Sequence, residues 1–358
     1  MAYKYTHFIP QNVAPKGAKR IGVYNSKGEK VTNIPLGGLT PPTATPLYSF
    51  GLVSDCHTYY VNPSWNSNVK FDKMLTHLEE NGCIMCVGCG DFTQTGLYSD
   101  SGYDESQMAN YASILAKHSI PVFEIFGNHE NYYGKPITNH LDVAKSYTGI
   151  PYTAYTVSSS ATGDEVSGTT KRPNRQMSQV GNDLFILIGQ PRDAWVMSAD
   201  DFTWLGTILE ANRGRRCLLF IHSYMEGDSG DGDDRRENSI FGSWGNTTAF
   251  VNLLKQYPNV ILFHGHSHIK LEYQNRAENA NFTEKNGFKS VHVPSLGMPR
   301  DIDPDKASNE DTPEDFNSSQ GYIVDVYADC IVLNGWDFGW DFTNKNRIPL
   351  GTYKIDTV

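Results

Sequence analysis

The sequence predicts a layered α/β or α+β domain, and three observations carry that reading. From Leu47 onward short apolar runs alternate with amphipathic helical patterns, the rhythm of sheets and helices stacked in layers. Four of the helical patterns lead directly into an apolar run. With 358 residues, the chain is long enough to bury a core without disulfide staples.

Residues 1–46 stand apart from this rhythm. RIGVYNSKGEKVTNI holds two alternating runs around Ser26-Lys27-Gly28, which predicts a β-hairpin, and PLGGLTPPTATP then reads as a linker or strap. This divides the chain into a small N-terminal β extension, 1–46, and a main domain, 47–358.

In the main domain, Phe71, Met74, Leu75 and Leu78 recur at i, i+3, i+4 and i+7, and Gly82 follows where a C-cap is expected, so a helix leads into CIMCVGCGD. Met108, Tyr111, Ala112 and Leu115 repeat the pattern before VFEIF. Phe202, Leu205, Ile208 and Leu209 do so before CLLFI, and Phe250, Leu253, Leu254 and Tyr257 before VILF. GYIVDVYADCIVLNGWDF alternates as two antiparallel strands with a turn near Ala328-Asp329, and the tail NRIPLGTYKID ends on another strand. Three polar stretches, 158–176, 226–238 and 301–320, have the composition of long surface loops, and such loops are often functional.

Composition removes several function classes. A formal net charge of -10 argues against a broad basic face for nucleic acid. No apolar run approaches the roughly 18 residues of a membrane helix, and the N-terminus lacks the apolar core of a secretion signal. Six cysteines, three crowded into one segment, fit a reducing compartment better than a disulfide framework. The expectation is a cytoplasmic protein, or one exported by a route that the sequence does not encode.

The residues that follow each apolar run carry the chemistry. YSFGLVS ends in Asp55-Cys56-His57, CIMCVGC in Gly90-Asp91, VFEIF in Gly127-Asn128-His129-Glu130, CLLFI in His222, and VILF in His264-Gly265-His266-Ser267-His268. The C-terminal edge of a sheet is where ligand crevices lie in open α/β folds, so neighbouring strands of one sheet would bring these groups together. Strand alternation would place Asp55 and His57 on one side of the chain, and His266 and His268 likewise. Carboxylate, imidazole and amide oxygen suit borderline divalent ions such as Mn, Fe, Zn, Co or Ni, and seven such groups are enough for two ions.

The ordered series Asp-x-His, Gly-Asp, Gly-Asn-His-Glu, His, Gly-His-x-His resembles the calcineurin-like metallophosphoesterases. The motifs span residues 55 to 268. The resemblance implies a four-layer α/β/β/α sandwich of two mixed sheets flanked by helices, with the strands of 319–358 completing the second sheet or appended to it. It also implies that Asp55, His57 and His268 hold a first divalent metal, that Asn128, His222 and His266 hold a second, and that Asp91 bridges them. Glu130 stands where the family commonly carries Asp, in a position to orient His129.

The expected reaction is in-line attack on a phosphoester by a hydroxide bridging two ions about 3.5–4 Å apart, with His129 assisting the leaving group. Tyr59, Tyr60 and Trp65 offer stacking surfaces that tilt the substrate towards a nucleotide-like or other organic phosphoester. Arg235, Arg236, Arg300, Lys171, Arg172 and Arg175 are candidate phosphate grips, but most surface charges of this kind are simply solvated, so none is assigned to the site. The competing reading is a binding or structural module that keeps the fold without catalysis, and the N-terminal extension also leaves room for a part of a larger assembly, such as an enzyme carried by a phage or cell-surface structure. Loss of ligands would mark it, and none is missing.

Two further groups receive plainer readings. Alternation would point Cys83 and Cys89 one way and Cys86 the other, so the three sulfurs cannot close on one ion, and the segment reads as a buried strand delivering Asp91. His7, His77, His118, His140, His264 and His292 read as structural, with His264 no closer than behind the ligands.

Overall fold

The computed structural model describes residues 20–24, 30–35, 44–58, 66–94, 105–129, 175–189, 197, 199–225, 229, 247–271, 282–284, 286–300, 317–339 and 348–357. Strands β1 (Arg20–Tyr24) and β2 (Lys30–Pro35) pair antiparallel as a sheet of two, as the N-terminal alternation predicts.

Twelve strands form two six-stranded sheets. The first holds β3 (Tyr48–Val53), β4 (Cys86–Gly88), β5 (Val122–Glu124), β12 (Gln320–Val326), β13 (Cys330–Asp337) and β14 (Ile348–Asp356), in the order β14-β13-β12-β3-β4-β5. The second holds β6 (Arg175–Val180), β7 (Asp183–Ile188), β8 (Cys217–Phe220), β9 (Val260–His264), β10 (Phe282–Thr283) and β11 (Lys289–His292), in the order β10-β11-β9-β8-β7-β6. Both are mixed: β3, β4 and β5 run parallel beside antiparallel β12, and β7, β8, β9 and β11 run parallel between antiparallel β6 and β10.

Parity along the strands builds the layers. In β8, Leu218 and Phe220 enter the core between the sheets, while Cys217 and Leu219 enter the core beneath helices α3 (Ala199–Ala211) and α4 (Thr247–Leu254). In β3, Phe50 and Leu52 face the other sheet, and Val53 packs with α1 (Ser67–Glu80) and α2 (Glu105–Leu115). Burial on both faces is why these strands read as continuous apolar runs. Outward-facing Gly51 lets α1 lie directly on the strand, because a Cβ there would meet Leu78 Cδ1 at 2.1 Å. The layer order is therefore α/β/β/α, as expected from the resemblance.

The inter-sheet core is aromatic. Phe185, Phe220 and Phe263 stack across β7, β8 and β9 with centroids 5.6 and 5.0 Å apart, and Phe50 meets Phe185 edge-on at 5.3 Å. Each such pair adds about 0.5–1.5 kcal/mol beyond its buried area. At the N-terminal strand ends, Arg216 grips Asp183 through Nε to Oδ1 (2.9 Å) and Nη2 to Oδ2 (2.7 Å), and its Nη1 reaches the Tyr327 carbonyl at 2.9 Å. Asp183 also accepts from the Tyr48 hydroxyl, so this clamp ties the two sheets together.

Several expectations need correction. The β6–β7 hairpin, which turns at Gly181-Asn182 with Gly181 at φ 58°, has no counterpart in the reading of the sequence, which ended a polar loop at 176. Tyr257 lies beyond α4 yet packs in the same core. The cysteine segment is extended over only Cys86–Gly88, so Cys83 shares the helix-side core with Cys86, while Cys89 faces the inter-sheet core. All six cysteines are buried. Among the described residues no helix is long and apolar enough to cross a membrane.

Candidate metal centre

The five motif segments come from two sheets: β3, β4 and β5 deliver theirs from the first, β8 and β9 from the second. Convergence therefore arises where the C-terminal edges of two packed sheets meet, and not along the edge of one. Within each sheet, neighbouring segments are held by main-chain bonds. Asp55 N–H donates to Gly90 O (2.9 Å), His57 N–H to Asp91 O (2.9 Å), and Gly265 N–H to His222 O (2.9 Å).

Two glycines make the approach possible. A Cβ on Gly127 would meet Asp91 Oδ1 at 2.1 Å, and a Cβ on Gly265 would meet Ser54 Oγ at 1.8 Å and Asp55 Oδ2 at 2.6 Å. The glycines that precede Asn128 and His266 thus give the carboxylates room.

Asp55, His57, Asp91, His266 and His268 all have positive φ, between 47° and 69°. Alternation does not place their side chains, because none is in a strand: each is turned inward by a left-handed residue just past the strand end. That conformation is uncommon for residues other than glycine, with Asp and His among those that tolerate it, and it costs energy the surrounding structure must offset. Asn66, the residue before α1, is the other non-glycine with positive φ among the described residues. Strain is therefore concentrated where the candidate ligands are.

Three groups of donors result, each with ligand atoms within 4.8 Å of one another: Asp55, His57 and His268; Asp55, Asp91, His222 and His266; and His57, Asp91 and His129. In the first, His268 Nε2 lies 3.1 Å from Asp55 Oδ1 and 3.1 Å from His57 Nε2. In the second, His222 Nε2 lies 3.2 Å from Asp91 Oδ2, 3.1 Å from His266 Nδ1 and 3.0 Å from Asn128 Oδ1. His129 Nε2 is 3.8 Å from Asp91 Oδ2, and its ring meets that of His57 edge-on at 4.6 Å. All are buried except His266, which is partly exposed.

The rings are aimed from behind. His222 Nδ1 donates to Cys89 O (2.6 Å) and His268 Nδ1 to Met298 O (3.0 Å), which fixes Nδ1 as a protonated nitrogen in each ring and aims each Nε2 at the cluster. Asp55 Oδ2 accepts from His266 N–H (2.8 Å) and Asp91 Oδ1 from His129 N–H (2.9 Å). Asp55 Oδ1 is fully buried and accepts no hydrogen bond. A buried carboxylate oxygen among inward-facing imidazole nitrogens fits a cation, whose charge would offset its desolvation.

Protonation agrees with that fit. Burial pushes the Asp55 and Asp91 carboxyls up, but His268 beside the first and His222 beside the second hold both below the usual carboxylate range. Burial pushes His57, His129 and His266 down, so these rings are poised neutral. Burial also works against a charge on His222, but Asp91 raises it to about 9, so a proton and a metal ion compete for that nitrogen.

The remaining expectations fall in three classes. Glu130, Tyr59, Tyr60, Trp65, Lys171, Arg172, Arg235, Arg236 and the Arg175 side chain lie outside the described residues. Arg300 donates its main-chain N–H to His268 O (2.7 Å), which puts it beside that histidine. His264 joins none of the donor groups, and its Nε2 meets Ser229 Oγ at 2.7 Å. Sequence reasoning missed the carbonyls of Cys89 and Met298 because main-chain groups leave no mark in residue type.

A sequence profile described as calcineurin-like phosphoesterase matches residues 48–270. The fold is similar to that of a dimetal phosphatase from Danio rerio, at 14% identity and a TM-score of 0.57, covering 87% of this chain and 100% of that one. It is also similar to a purple acid phosphatase from yellow lupin (Lupinus luteus) seeds, at 13% identity and a TM-score of 0.53, covering 88% of this chain and 55% of that one. No curated protein matches the sequence.

Proposed function

The chain belongs to the calcineurin-like phosphoesterase family, and on that premise we propose that it is a dinuclear phosphoester hydrolase working by in-line attack of hydroxide on phosphorus. Membership supports metal-dependent phosphoester hydrolysis in general. The observation that carries the finer reading is the buried Asp55 Oδ1, without a hydrogen bond, amid converging imidazole nitrogens.

In this reading Asp55, His57 and His268 hold one divalent ion, Asn128, His222 and His266 hold another, and Asp91 lies between the two sets. Asp91 supports the role by geometry, since its Oδ2 is 3.2 Å from His222 Nε2 and its main-chain carbonyl accepts from His57 N–H at 2.9 Å. Two such ions supply positive charge for phosphoryl oxygens and lower the pKa of water. The carboxylates and neutral imidazoles stay fixed as charge develops on phosphorus, because their partners behind the site are already in place.

His129 is left for proton transfer, because the other groups complete two donor sets without it. Burial wins over the Asp91 carboxylate close to Nε2 and favours the neutral ring, so in this proposal His129 assists the leaving oxygen from beside the Asp91 carboxylate. Glu130 orients His129 in this proposal. The substrate class proposed is a nucleotide-like or other organic phosphoester, and the metals are drawn from Mn, Fe, Zn, Co and Ni. Residues 1–46 are proposed as a separate extension, with β1 and β2 pairing only with each other among the described strands.

The test is hydrolysis of p-nitrophenyl phosphate and bis(p-nitrophenyl) phosphate with Mn2+, comparing wild type with Asp91→Ala, followed by a panel of mono-, di- and pyrophosphate esters. A loaded wild type no faster than the variant on every ester would sink the reading in favour of a non-catalytic module.

A further inference from the structure

Lys70 lies in the buried face of α1, at 0% exposure, on the helix that supplies Phe71, Met74, Leu75 and Leu78 to the core. Burying an ammonium is expensive unless it is hydrogen-bonded, so an apolar residue would be the ordinary occupant. Its Nζ donates to the carbonyl of Gly297 at 2.6 Å, and Asp337 feels its charge.

That carbonyl belongs to a peptide with two other attachments. Its N–H, on Met298, donates to Ser295 Oγ (2.8 Å), and Ser295 Oγ donates to the carbonyl of Asp55 (2.9 Å). Gly297 N–H also donates to Asp55 O (3.0 Å). The next carbonyl, Met298 O, receives His268 Nδ1–H at 3.0 Å. One unbroken chain of donors therefore runs from Lys70 through the Gly297–Met298 peptide and Ser295 to Asp55, and a single residue separates it from the group that aims His268.

We propose that Lys70 is a positioning residue for the ion held by Asp55, His57 and His268, acting through the Gly297–Met298 peptide. This rests on the metal-centre reading above. A charged donor on a carbonyl polarises the peptide behind it and strengthens the bonds that follow in the chain. Groups that orient metal ligands typically change metal affinity about 10- to 100-fold when removed. At the position of Asn128, His222 and His266, the His222 ring takes its aim from Cys89 O instead, and only His266 touches Asp55, through its main-chain N–H at 2.8 Å, so the effect falls mainly on the first position.

The experiment titrates Mn2+ into chelator-stripped full-length protein by calorimetry and measures metal per chain after desalting. Wild type is expected to take up two ions, and Lys70→Met to bind one of them about 10- to 100-fold more weakly with the other affected far less, the weakened ion being the one lost in His268→Ala. Lys70→Arg should recover part of the loss. Ser295→Ala, which leaves α1 untouched, should weaken the same ion, and the double variant should do little more than either single change. If Lys70→Met fails to fold, Ser295→Ala decides. Wild-type affinities at both positions in these variants, or equal weakening of both, overturns the proposal. A wild type that takes up no Mn2+ instead sinks the metal-centre reading, whatever the Lys70 variants do.

Discussion

The carbonyl oxygen of Cys89, at the end of a strand in one sheet, receives the Nδ1–H of His222 from the other sheet at 2.6 Å. The segment CIMCVGCGD therefore serves the candidate site through its main chain and through Asp91. Its sulfurs play no part in the donor groups found among the described residues.

Replacing Cys83, Cys86 and Cys89 together by Ala is accordingly expected to leave metal per chain at the wild-type value. It should cost about 1 kcal/mol per buried site in unfolding free energy. The thiols of the folded wild type should also resist alkylation at pH 8, because burial pushes Cys83 up to about 12 and Cys86 and Cys89 well above their ordinary value. Elemental analysis and iodoacetamide labelling check both, and loss of a metal ion in the triple variant would count against the assignment.

Asp91 and His129 touch yet should fail differently. Asp91→Asn removes a carboxylate shared between the donor groups, so both metal content and turnover should fall. His129→Asn should keep two ions and lose about 10²–10⁴-fold in kcat, the range for a missing proton donor. Metal analysis beside steady-state kinetics separates the two, and loss of an ion in His129→Asn would make this histidine a ligand instead.

The legibility of this molecule follows the chemistry of its parts. The helices were readable because Phe71, Met74, Leu75 and Leu78 mark a face, and the four-layer order because the resemblance supplied it. The seven proposed ligands could be nominated because each follows an apolar run at a sheet edge. How they converge was not: alternation assumes extended backbone, whereas Asp55, His57, Asp91, His266 and His268 turn through positive φ past the strand ends. The β6–β7 hairpin hid because Arg175–Val180 is polar and abuts a polar stretch. Lys70 hid because a lone lysine on a helix reads as solvated until its burial is known.

The Arg216–Asp183 clamp lies at the strand ends opposite the candidate site, so its loss should affect stability alone. Both side chains are nearly buried, at 7% and 6% exposure, and Arg216 Nη1 also reaches Thr357 Oγ1 at 3.1 Å, which secures the end of β14. Arg216→Ala leaves a buried carboxylate unmatched, and a loss of about 3–5 kcal/mol in urea unfolding is expected. Arg216→Lys should recover only part, since an ammonium cannot span both oxygens. Metal content should match wild type in both variants, and a drop would show that the clamp is coupled to the site.

Glu79 makes the fold sensitive to acid at a place outside the candidate site. At the end of α1 its Oε1 accepts from Ser119 N–H (2.6 Å), Ser119 Oγ–H (2.8 Å) and Ile120 N–H (3.1 Å), and its Oε2 lies 3.0 Å from His118 Nδ1, so the carboxylate organises the turn before β5. Partial burial pushes this carboxyl up, but the bonds from His118 and Ser119 outweigh it and hold the group at about 2, down from 4.5. A depressed carboxylate stabilises the fold fully above its unfolded value and loses that contribution as pH falls from 4.5 towards 2. The side chain keeps 29% of its surface, so water screens the effect to about 1 kcal/mol. Urea unfolding of chelated wild type and Glu79→Gln should therefore differ by that amount at pH 6, and the two curves should draw together as pH falls through the window below 4.5. A difference that stays constant down to pH 3 would mean the ionised carboxylate contributes nothing.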